Sequence, residues 1–466
     1  MEIEQTALWS EIENILADGE KYVTHYWKAT IHITETINPD GEIGEYECLK
    51  LVSLDLVKNY EANAAPDYAI EVLVPLGLYV KQILPNRTTL EVSLKKERVF
   101  DSTPPSDLDT ELETQRFKAI LSDVPEQKLE GTEIDKHTQF ELDLMDMLSI
   151  KFQLIDKSFE QLKTLTVGGN FRKVLVEDVV KGVLTKESEK VEVEGNPPIE
   201  AVDMVTPNNI EEQDHVVIPQ GTKVTLLAKY LQTVAPGIYN TGLACFLDKK
   251  IWYIFPPYDT VSPRNKQGSL VLYKVPGKRF LGSNRTYRIS GDTIYIVGTE
   301  YSKFDDNSQA KFANEGNGVM FADAGKILES DPEKSKDNKI VVDRGETNTE
   351  ALSCKRDDGN DNIQASPNGI TSNSYRELSA LTARKGGAFT IVWEHANPAL
   401  LFPGMLTKVF YLDGEEIKEK EGVLLAAHQN IRLLGQGILT DRHTTSIALV
   451  VFVNEPEEVL SGSTGI

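Results

Sequence analysis

The stretch "DYAIEVLVPLGLYVKQILP", from Asp67 to Pro85, is the most apolar part of this 466-residue chain. A membrane-spanning helix needs about 20 mostly apolar residues, but acidic residues open this stretch and Lys81 and Gln82 lie near its end. Pro75 also interrupts any single long helix, because proline lacks a backbone N–H and clashes with the preceding turn. The stretch is therefore not predicted to span a membrane.

Divided at Pro75, the stretch predicts a strand over Tyr68–Val74 and a short helix of about two turns over Leu76–Leu84. The following residues, Thr88–Glu97, alternate apolar and polar side chains and predict the next strand. The unit is therefore a strand, a short helix and a strand. We expect the helix to cover an edge or to close an end of a sheet.

Long alternating segments on both sides of this unit predict further strands: Tyr26–Ile37, Glu45–Val57 and Thr138–Asp156. Several such strands with one short helix favour a barrel or a sandwich. The segment "FRKVLVEDVVKGVLTKE", Phe171–Glu187, predicts the clearest helix, and an α+β module rich in tyrosine follows from His215. Residues 388–456 predict at least four strands with a hairpin at Asp413–Gly414, and hence a second barrel.

The charge of the chain limits its partners. There are 49 Lys and Arg residues against 72 Asp and Glu residues, a net charge of −23, which disfavours nonspecific binding to DNA or anionic lipid. The main partner is expected to be another protein. Two acidic stretches, Asp101–Asp135 and Lys186–Asp214, are interpreted as solvated loops.

The three cysteines, Cys48, Cys245 and Cys354, lie far apart and are odd in number, which argues against a disulfide framework and a thiolate metal site and indicates a reducing compartment. The acidic cluster Arg356–Asn362 lacks the spacing of a calcium loop. A phosphate-binding GxxxxGK[ST] loop is absent. No metal-binding or cofactor-binding residue is predicted, and no cofactor.

Two weaker chemical hypotheses remain open at this point. His428 and His443 flank Asp441, but no nucleophile elbow accompanies them, and alternating polar positions on a strand are the favoured interpretation. The aromatic residues between Trp252 and Tyr258 could stack on sugars, although a use in a core or an interface is favoured. No catalytic residue is predicted.

The order of these segments resembles the central baseplate hub protein of contractile-tailed bacteriophages. The resemblance covers most of the chain, and no single segment is diagnostic. The segments that carry it are the unit Tyr68–Leu94, "FQLIDKSFEQL" leading into "FRKVLVEDVVKGVLTKE", "HVVIPQGTKVTLLAKYLQ" followed by "GIYNTGLACFLDKKIWYIFPPYD", "NEGNGVMF" at Asn314–Phe321, and "FPGMLTKVFYLDGEEIKEKEGVLLAAHQ".

The resemblance implies a mainly β fold with two tail-tube-like β-barrels and a middle α+β domain. It implies a non-enzymatic homotrimer that joins the six-fold tail tube, or a tube-initiator protein, to the three-fold central spike. Other baseplate proteins would be further partners, and DNA would pass through a channel without specific binding. The expected location is the virion, after assembly in the host cytoplasm and without membrane insertion.

Carried over to this chain, the resemblance places Leu76, Leu78, Tyr79 and Ile83 in or near a subunit or partner interface, with burial inside their own barrel as an equal alternative. The implied domains are an N-terminal helix over 1–19, a first barrel over 20–168 with an acidic loop at 101–135, a middle domain over 169–345, a polar loop over 346–374, a second barrel over 375–456 and a flexible tail over 457–466. A tail-associated sugar-binding or cell-wall-degrading protein and a tail-tube or tube-initiator component are the alternative functions.

Overall fold

The secondary structure of the first half follows the predicted alternation of strands closely. The computed structural model describes residues 2–22, 24–34, 44–98, 111–123, 147–234, 236–262, 268–275, 285–299, 375, 379, 382–383, 386–413, 416–434 and 442–454. Up to residue 164 its elements are α1 (Glu2–Asp18), β1 (Glu20–Lys21), β2 (His25–Ile33), β3 (Gly44–Glu47), β4 (Lys50–Asn59), β5 (Asp67–Pro75), α2 (Leu76–Leu78) with a π-helix (Tyr79–Ile83), β6 (Leu90–Arg98), β7 (Glu111–Asp123), β8 (Met147–Asp156) and α3 (Lys157–Thr164).

The second half contains the remaining helices and the longest strands. Its elements are β9 (Thr166–Val174), α4 (Val176–Ser188), β10 (Ala201–Met204), β11 (Gln213–Lys223), a 3₁₀ turn (Val224–Leu226), α5 (Leu227–Thr233), β12 (Ala244–Asp248), β13 (Ile251–Phe255), β14 (Ser269–Val275), β15 (Arg285–Ser290), β16 (Thr293–Thr299), β17 (Gly386–Glu394), a 3₁₀ turn (Pro398–Leu400), β18 (Leu406–Asp413), β19 (Glu416–Leu433) and β20 (His443–Asn454).

The first barrel is a ring of antiparallel strands in the order β4-β5-β8-β7-β6-β2. The ring is completed by β19, which pairs with β4, and by β20, which meets β2 at the single pair His25 and His443. Alternate residues of each strand point inwards. Four of them, Ile31, Val72, Phe117 and Phe152, are fully buried. Period-2 alternation therefore supplies most of the interior of this barrel.

The second barrel is a ring in the order β14-β18-β19-β20-β17-β16. Two of its junctions are parallel, β14 with β16 and β14 with β18, and β16 meets β17 at the pair Thr299 and Val392. Its interior merges with that of the middle domain in one continuous hydrophobic cluster that includes the fully buried Trp393. The fold class predicted from the sequence, mainly β with two barrels and a middle α+β domain, is confirmed.

The two barrels share β19 and β20. The first part of β19, residues 416–423, pairs with β18, and residues 426–432 pair with β4, while β20 pairs with residues 422–433. The change of neighbour coincides with a bulge between Leu424 and Ala426, and the carbonyl oxygen of Leu425 accepts a hydrogen bond from the Tyr60 N–H at 2.9 Å. A bulge re-aims a strand in this way because it adds one residue on one side of the ladder.

The middle domain packs three helices on a three-stranded sheet and a two-stranded ribbon. The sheet has the order β10-β13-β12, and β9 pairs with β11 to form the ribbon. In α4, Val176, Val179, Val180 and Leu184 follow the helical period and are buried. The Asp156 side chain caps α3 by accepting a hydrogen bond from the Phe159 N–H at 2.9 Å.

Helix α1 covers the outside of the second barrel. The sequence predicted this N-terminal helix but not what it contacts. Ile12 and Ile15 are buried against Val271 and Val297 on β14 and β16. The Arg285 guanidinium donates to the Gly19 carbonyl oxygen at 2.8 Å, which fixes the end of the helix to β15.

Several segments differ from the sequence-based expectations. The acidic stretch 101–135 contains β7, a full strand of the first barrel, because the inward residues Phe117 and Ala119 supply core contacts that outweigh the surrounding charge. Residues 171–174, expected to be helical, belong to β9, and helix α4 begins only at Val176. Residues 45–57 form two strands with a break at Cys48 and Leu49.

The strand pairing also divides the chain differently from the expected boundaries. Strands β14 and β16, which lie within the expected middle domain over 169–345, form part of the wall of the second barrel. The stretch Lys186–Asp214, expected to be a solvated loop, contains β10 and the buried residues Met204 and Val205. Residues 314–321, 346–374 and 356–362 lie outside the described residues.

A buried ion pair joins the first barrel to the middle domain. The Lys58 ammonium on β4 donates to both carboxylate oxygens of Asp248 on β12, at 2.8 and 2.7 Å. The two side chains are only 6% and 10% exposed. Because removing one member of such a pair leaves an unpaired charge in the interior, the pair is costly to break from either side.

We expect Asp248→Ala to lower the free energy of unfolding by about 3 to 5 kcal/mol, because Lys58 would be buried without its carboxylate. Urea titration followed by tryptophan fluorescence would measure the loss. Glu200→Ala is the matched control, since Glu200 pairs with Lys250 at 2.8 Å on the surface of the same sheet, and it should cost less than about 1 kcal/mol. Equal losses in the two variants would contradict this account of the pair.

Candidate functional site

One face of the sheet that both barrels share forms a continuous surface. It crosses β17, β20, β19, β4, β5, β8 and β7, which are hydrogen-bonded neighbours in this order. We call this surface the shared face. The strand registers place its residues in three rows, none of whose members is buried: Val392, Ala448, His428, Val57 and Asp67; Glu394, Ser446, Asn430, Asp55, Ala69, Gln153 and Ile120; and Thr444, Arg432, Ser53, Glu71 and Lys151.

The shared face is built by the same alternation that fills the barrel cores. In each strand the residues between the rows point inwards, for example Leu54 and Leu56 on β4 and Ile70 on β5, and these are buried. The outward residues are mostly small or polar. The face can therefore contact solvent or a polar molecule along both barrels without exposing a large apolar patch.

The charge of the shared face is mixed with a small acidic excess. Its three rows contain four carboxylates, from Asp55, Asp67, Glu71 and Glu394, against the two fixed cations of Lys151 and Arg432. The Asn430 amide donates to the Asp55 carboxylate, and the Ser149 hydroxyl donates to that of Glu71 at 2.6 Å. These contacts orient the Asp55 and Glu71 carboxylates. The named positions of the face form no basic patch.

The residues predicted to lie in an interface, Leu76, Leu78, Tyr79 and Ile83, are all found in the short helical segment after β5, which we call the cap. Tyr79 and Ile83 are buried, at 6% and 0% exposure, in the core of their own barrel. Leu78 is half-buried against the same core, and Leu76 is half-buried. Interface use stays a prediction for these residues, and Val80, at 45% exposure, is an apolar residue of the cap that points outwards.

The histidines singled out in the sequence do not form a relay. His443 is 1% exposed. Its Nδ1 accepts a hydrogen bond from the Trp27 N–H at 3.3 Å, and its Nε2 lies 2.8 Å from the Leu51 carbonyl oxygen, to which it donates. His428 is exposed on the shared face, and Asp441 lies outside the described residues. His443 thus joins three strands of the first barrel where the β2–β20 ladder has a single pair.

We expect His443→Ala to destabilise the chain by about 2 to 4 kcal/mol, because the Trp27 N–H and the Leu51 carbonyl would lose their partner in a buried place. His428→Ala, which removes the same side chain from the exposed face of the neighbouring strand, should cost less than about 0.5 kcal/mol. Thermal and urea unfolding of the two variants would measure the difference. A small effect of His443→Ala would show that the ladder alone closes the barrel.

A cluster that the sequence did not mark lies on the outside of the first barrel. His32 on β2 is 3.1 Å from a Glu45 carboxylate oxygen through Nδ1 and 2.6 Å from the Ser93 hydroxyl through Nε2. Only the cross-strand register brings these three residues together, so spacing along the chain gives no signal. Ser93 lies within β6, which is paired on both sides. Its neighbouring N–H groups are used in the ladders, which leaves no oxyanion site of the kind acyl transfer requires.

Burial lowers the pKa of His32, and the nearby Arg116 guanidinium lowers it further, despite the opposing effect of Glu45. The unfolded chain, with a histidine pKa of about 6.5, therefore binds the proton more readily than the folded chain. The contribution of His32 to stability is complete above the unfolded pKa and is lost as the pH falls through the folded pKa.

We expect the unfolding free energy of the wild type to decline more steeply between about pH 7 and pH 5 than that of His32→Gln, whose side chain does not titrate in this range. Urea titrations of both chains at several pH values would measure the two slopes. Parallel slopes would contradict the pKa direction. The comparison with the variant removes the contributions of the other titrating groups that the two chains share.

The aromatic stretch considered as a sugar platform is part of the core. Trp252 is fully buried, and its Nε1–H donates to the Ser188 hydroxyl at 3.0 Å. Phe255 is 2% exposed, and the ring of Tyr258 packs on Phe452 with centroids 4.9 Å apart. Trp252 and Phe255 therefore have no exposed ring face for a sugar to stack on, and Tyr258 is half-buried.

Other candidate sites in the described part of the chain have few reactive groups. A groove of about 470 Å³ lies between the β9–β11 ribbon and α4. Burial raises the pKa of Cys48 and of Cys245 to about 12, which leaves both thiols unreactive at neutral pH. Within the described ranges, no group of three His, Cys, Asp or Glu side chains could hold a metal ion. Among the same residues, no helix is long and apolar enough to cross a membrane.

The chain matches no protein-family model, and no curated protein matches it at a significant level. Among solved structures it is similar to the 43 kDa tail protein of prophage MuSo2 from Shewanella oneidensis, with a TM-score of 0.44 and 10% identity, covering 92% of this chain and 96% of that chain. A chain of the lidded Francisella PdpA-VgrG complex gives 0.34 and 11%, covering 95% and 55%. A chain of the phage P2 baseplate in its activated conformation gives 0.29 and 11%, covering 91% and 98%. Two of these three neighbours are named as phage tail or baseplate components.

Proposed function

We propose that this chain is a non-enzymatic structural protein, the trimeric hub of a contractile-tail baseplate. In this role three copies form a ring that joins the six-fold tail tube, or a tube-initiator protein, to the three-fold central spike. Other baseplate proteins bind its periphery. The chain is then a virion component that assembles in the host cytoplasm.

The observation that carries the proposal is the pair of barrels built on the shared strands β19 and β20. A ring of three chains then contains six barrels, so one side can match a six-fold partner while the chains themselves obey three-fold symmetry. Because both barrels belong to one sheet, their relative orientation is fixed by backbone hydrogen bonds. A linker between two separate barrels would not hold that spacing.

The shared face is the part of each chain that we assign to the wall of the central channel. It extends across both barrels, carries small and polar side chains, and has four carboxylates against two fixed cations in its three rows. A wall of this composition repels DNA weakly and offers no basic patch to retain it. DNA can therefore slide through without specific binding.

The alternative functions are less well supported by particular residues. A sugar-binding or cell-wall-degrading protein would need exposed aromatic rings between Trp252 and Tyr258, and Trp252 is fully buried. A tube or tube-initiator component that assembles as a hexamer needs only one barrel in each chain, and this chain has two.

We expect the purified chain to form a trimer, with a mass near three times 51.9 kDa, because obligate ring contacts commonly bury about 2,000 Å² or more. Multi-angle light scattering over a series of protein concentrations would measure the mass. A stable hexamer would move the assignment to a tube component, and a chain that stays monomeric would contradict self-assembly into a hub.

A further inference from the structure

One end of the first barrel carries an unusual concentration of exposed apolar side chains. Leu49, Val80, Met147 and Leu434 are 44%, 45%, 51% and 42% exposed. We call these four residues the apolar rim. They lie far apart in sequence, and the strand registers bring them to the same end of the barrel.

The registers fix the positions of the rim residues relative to one another. The Leu49 N–H donates to the Leu73 carbonyl oxygen at 2.9 Å, and Pro75, two residues after Leu73, is the register partner of Met147. The cap that carries Val80 begins immediately after Pro75. Leu434 follows the end of β19, at the end of the sheet where β4 begins, because β19 and β4 run antiparallel with Arg432 opposite Ser53.

The cap beside the rim has two further features of a surface that is completed by another molecule. It contains a five-residue π-helix, Tyr79–Ile83, and such segments occur often at functional places. The Tyr79 hydroxyl and the Gln82 Oε1 are buried there with no hydrogen-bond partner among the described residues. Unpaired buried polar atoms are rare in a finished interior.

The charge around the rim indicates which kind of molecule covers it. From Leu76 to Leu90 the chain has two basic residues, Lys81 and Arg87, and no acidic residue. Both basic residues are exposed. The chain as a whole carries a net charge of −23. Lys81 and Arg87 therefore form a basic border on the cap side of the apolar rim, and their charge is complementary to the net negative charge of another copy of the same chain.

We propose that the apolar rim and its basic border are a contact surface for a second copy of this chain. This inference rests on the proposed ring, and it names the part of the first barrel at which neighbouring copies meet. In a closed ring the contact is heterologous, so each chain uses its rim once and receives the rim of one neighbour on another surface.

The rim variant combines Val80→Asp with Met147→Asp. The control is Val261→Asp, which introduces one charge at a residue that is 79% exposed and lies away from the rim. Light scattering and sedimentation over a concentration series would measure the assembly of each chain. Circular dichroism and thermal unfolding would first establish that the variants are folded. We expect the rim variant to have an apparent dissociation constant at least about tenfold higher than that of the wild type, because charges in a desolvated contact are costly. The Val261 control should assemble as the wild type does.

A trimer that is unaffected by the rim variant would overturn this inference and leave the hub proposal intact. A dimer that depends on the rim would support the inference and overturn the three-fold ring. Equal weakening by the rim variant and the Val261 control would overturn the assignment to the rim. A second measurement introduces no charge: a photo-cross-linking phenylalanine replaces Val80, and we expect it to form cross-links between copies. The absence of such cross-links in the assembled protein would also overturn the inference.

Discussion

The architecture depends on one strand that belongs to two barrels. Strand β19 has 18 residues, far beyond the usual strand length of about 5 to 6, and it passes from β18 in one barrel to β4 in the other at the bulge next to Leu425. Strand β20 pairs with it from Gly422 to Leu433, across the bulge. The two barrels therefore cannot rotate against each other without breaking a ladder of backbone hydrogen bonds, and the shared face is continuous for the same reason.

Side chains complete the structure where the backbone ladders end. His443 connects β20 to the Trp27 N–H and the Leu51 carbonyl at the seam of the first barrel. The Asn196 amide pairs with the backbone N–H and C=O of Arg116 at 2.6 and 3.1 Å, which docks the middle domain on β7. Lys58 and Asp248 join the same domain to β4. Each contact is buried or half-buried and polar, so it fixes one orientation where apolar packing alone would tolerate several.

This rigidity gives the proposed function its physical basis. A hub that adapts six-fold to three-fold symmetry has to present two similar units at a fixed spacing, and a fused sheet provides that spacing within one chain. In this proposal the polar shared face and the apolar rim at one end of the first barrel have separate roles. The shared face lines the channel, and the rim contacts a neighbouring copy.

The sequence by itself determined the strand content, the short helix after Pro75, the hairpin at Asp413 and the net charge, because these follow from local alternation, proline chemistry and composition. It also indicated the class of assembly through the order of its segments. It did not locate β7 within an acidic stretch, and it assigned β14 and β16 to the middle domain, since strand partners are chosen by contacts distant in sequence. The rows of the shared face, the His32–Ser93–Glu45 cluster and the apolar rim were decided only by the tertiary structure. The pairing of strands that are distant in sequence places those residues next to one another.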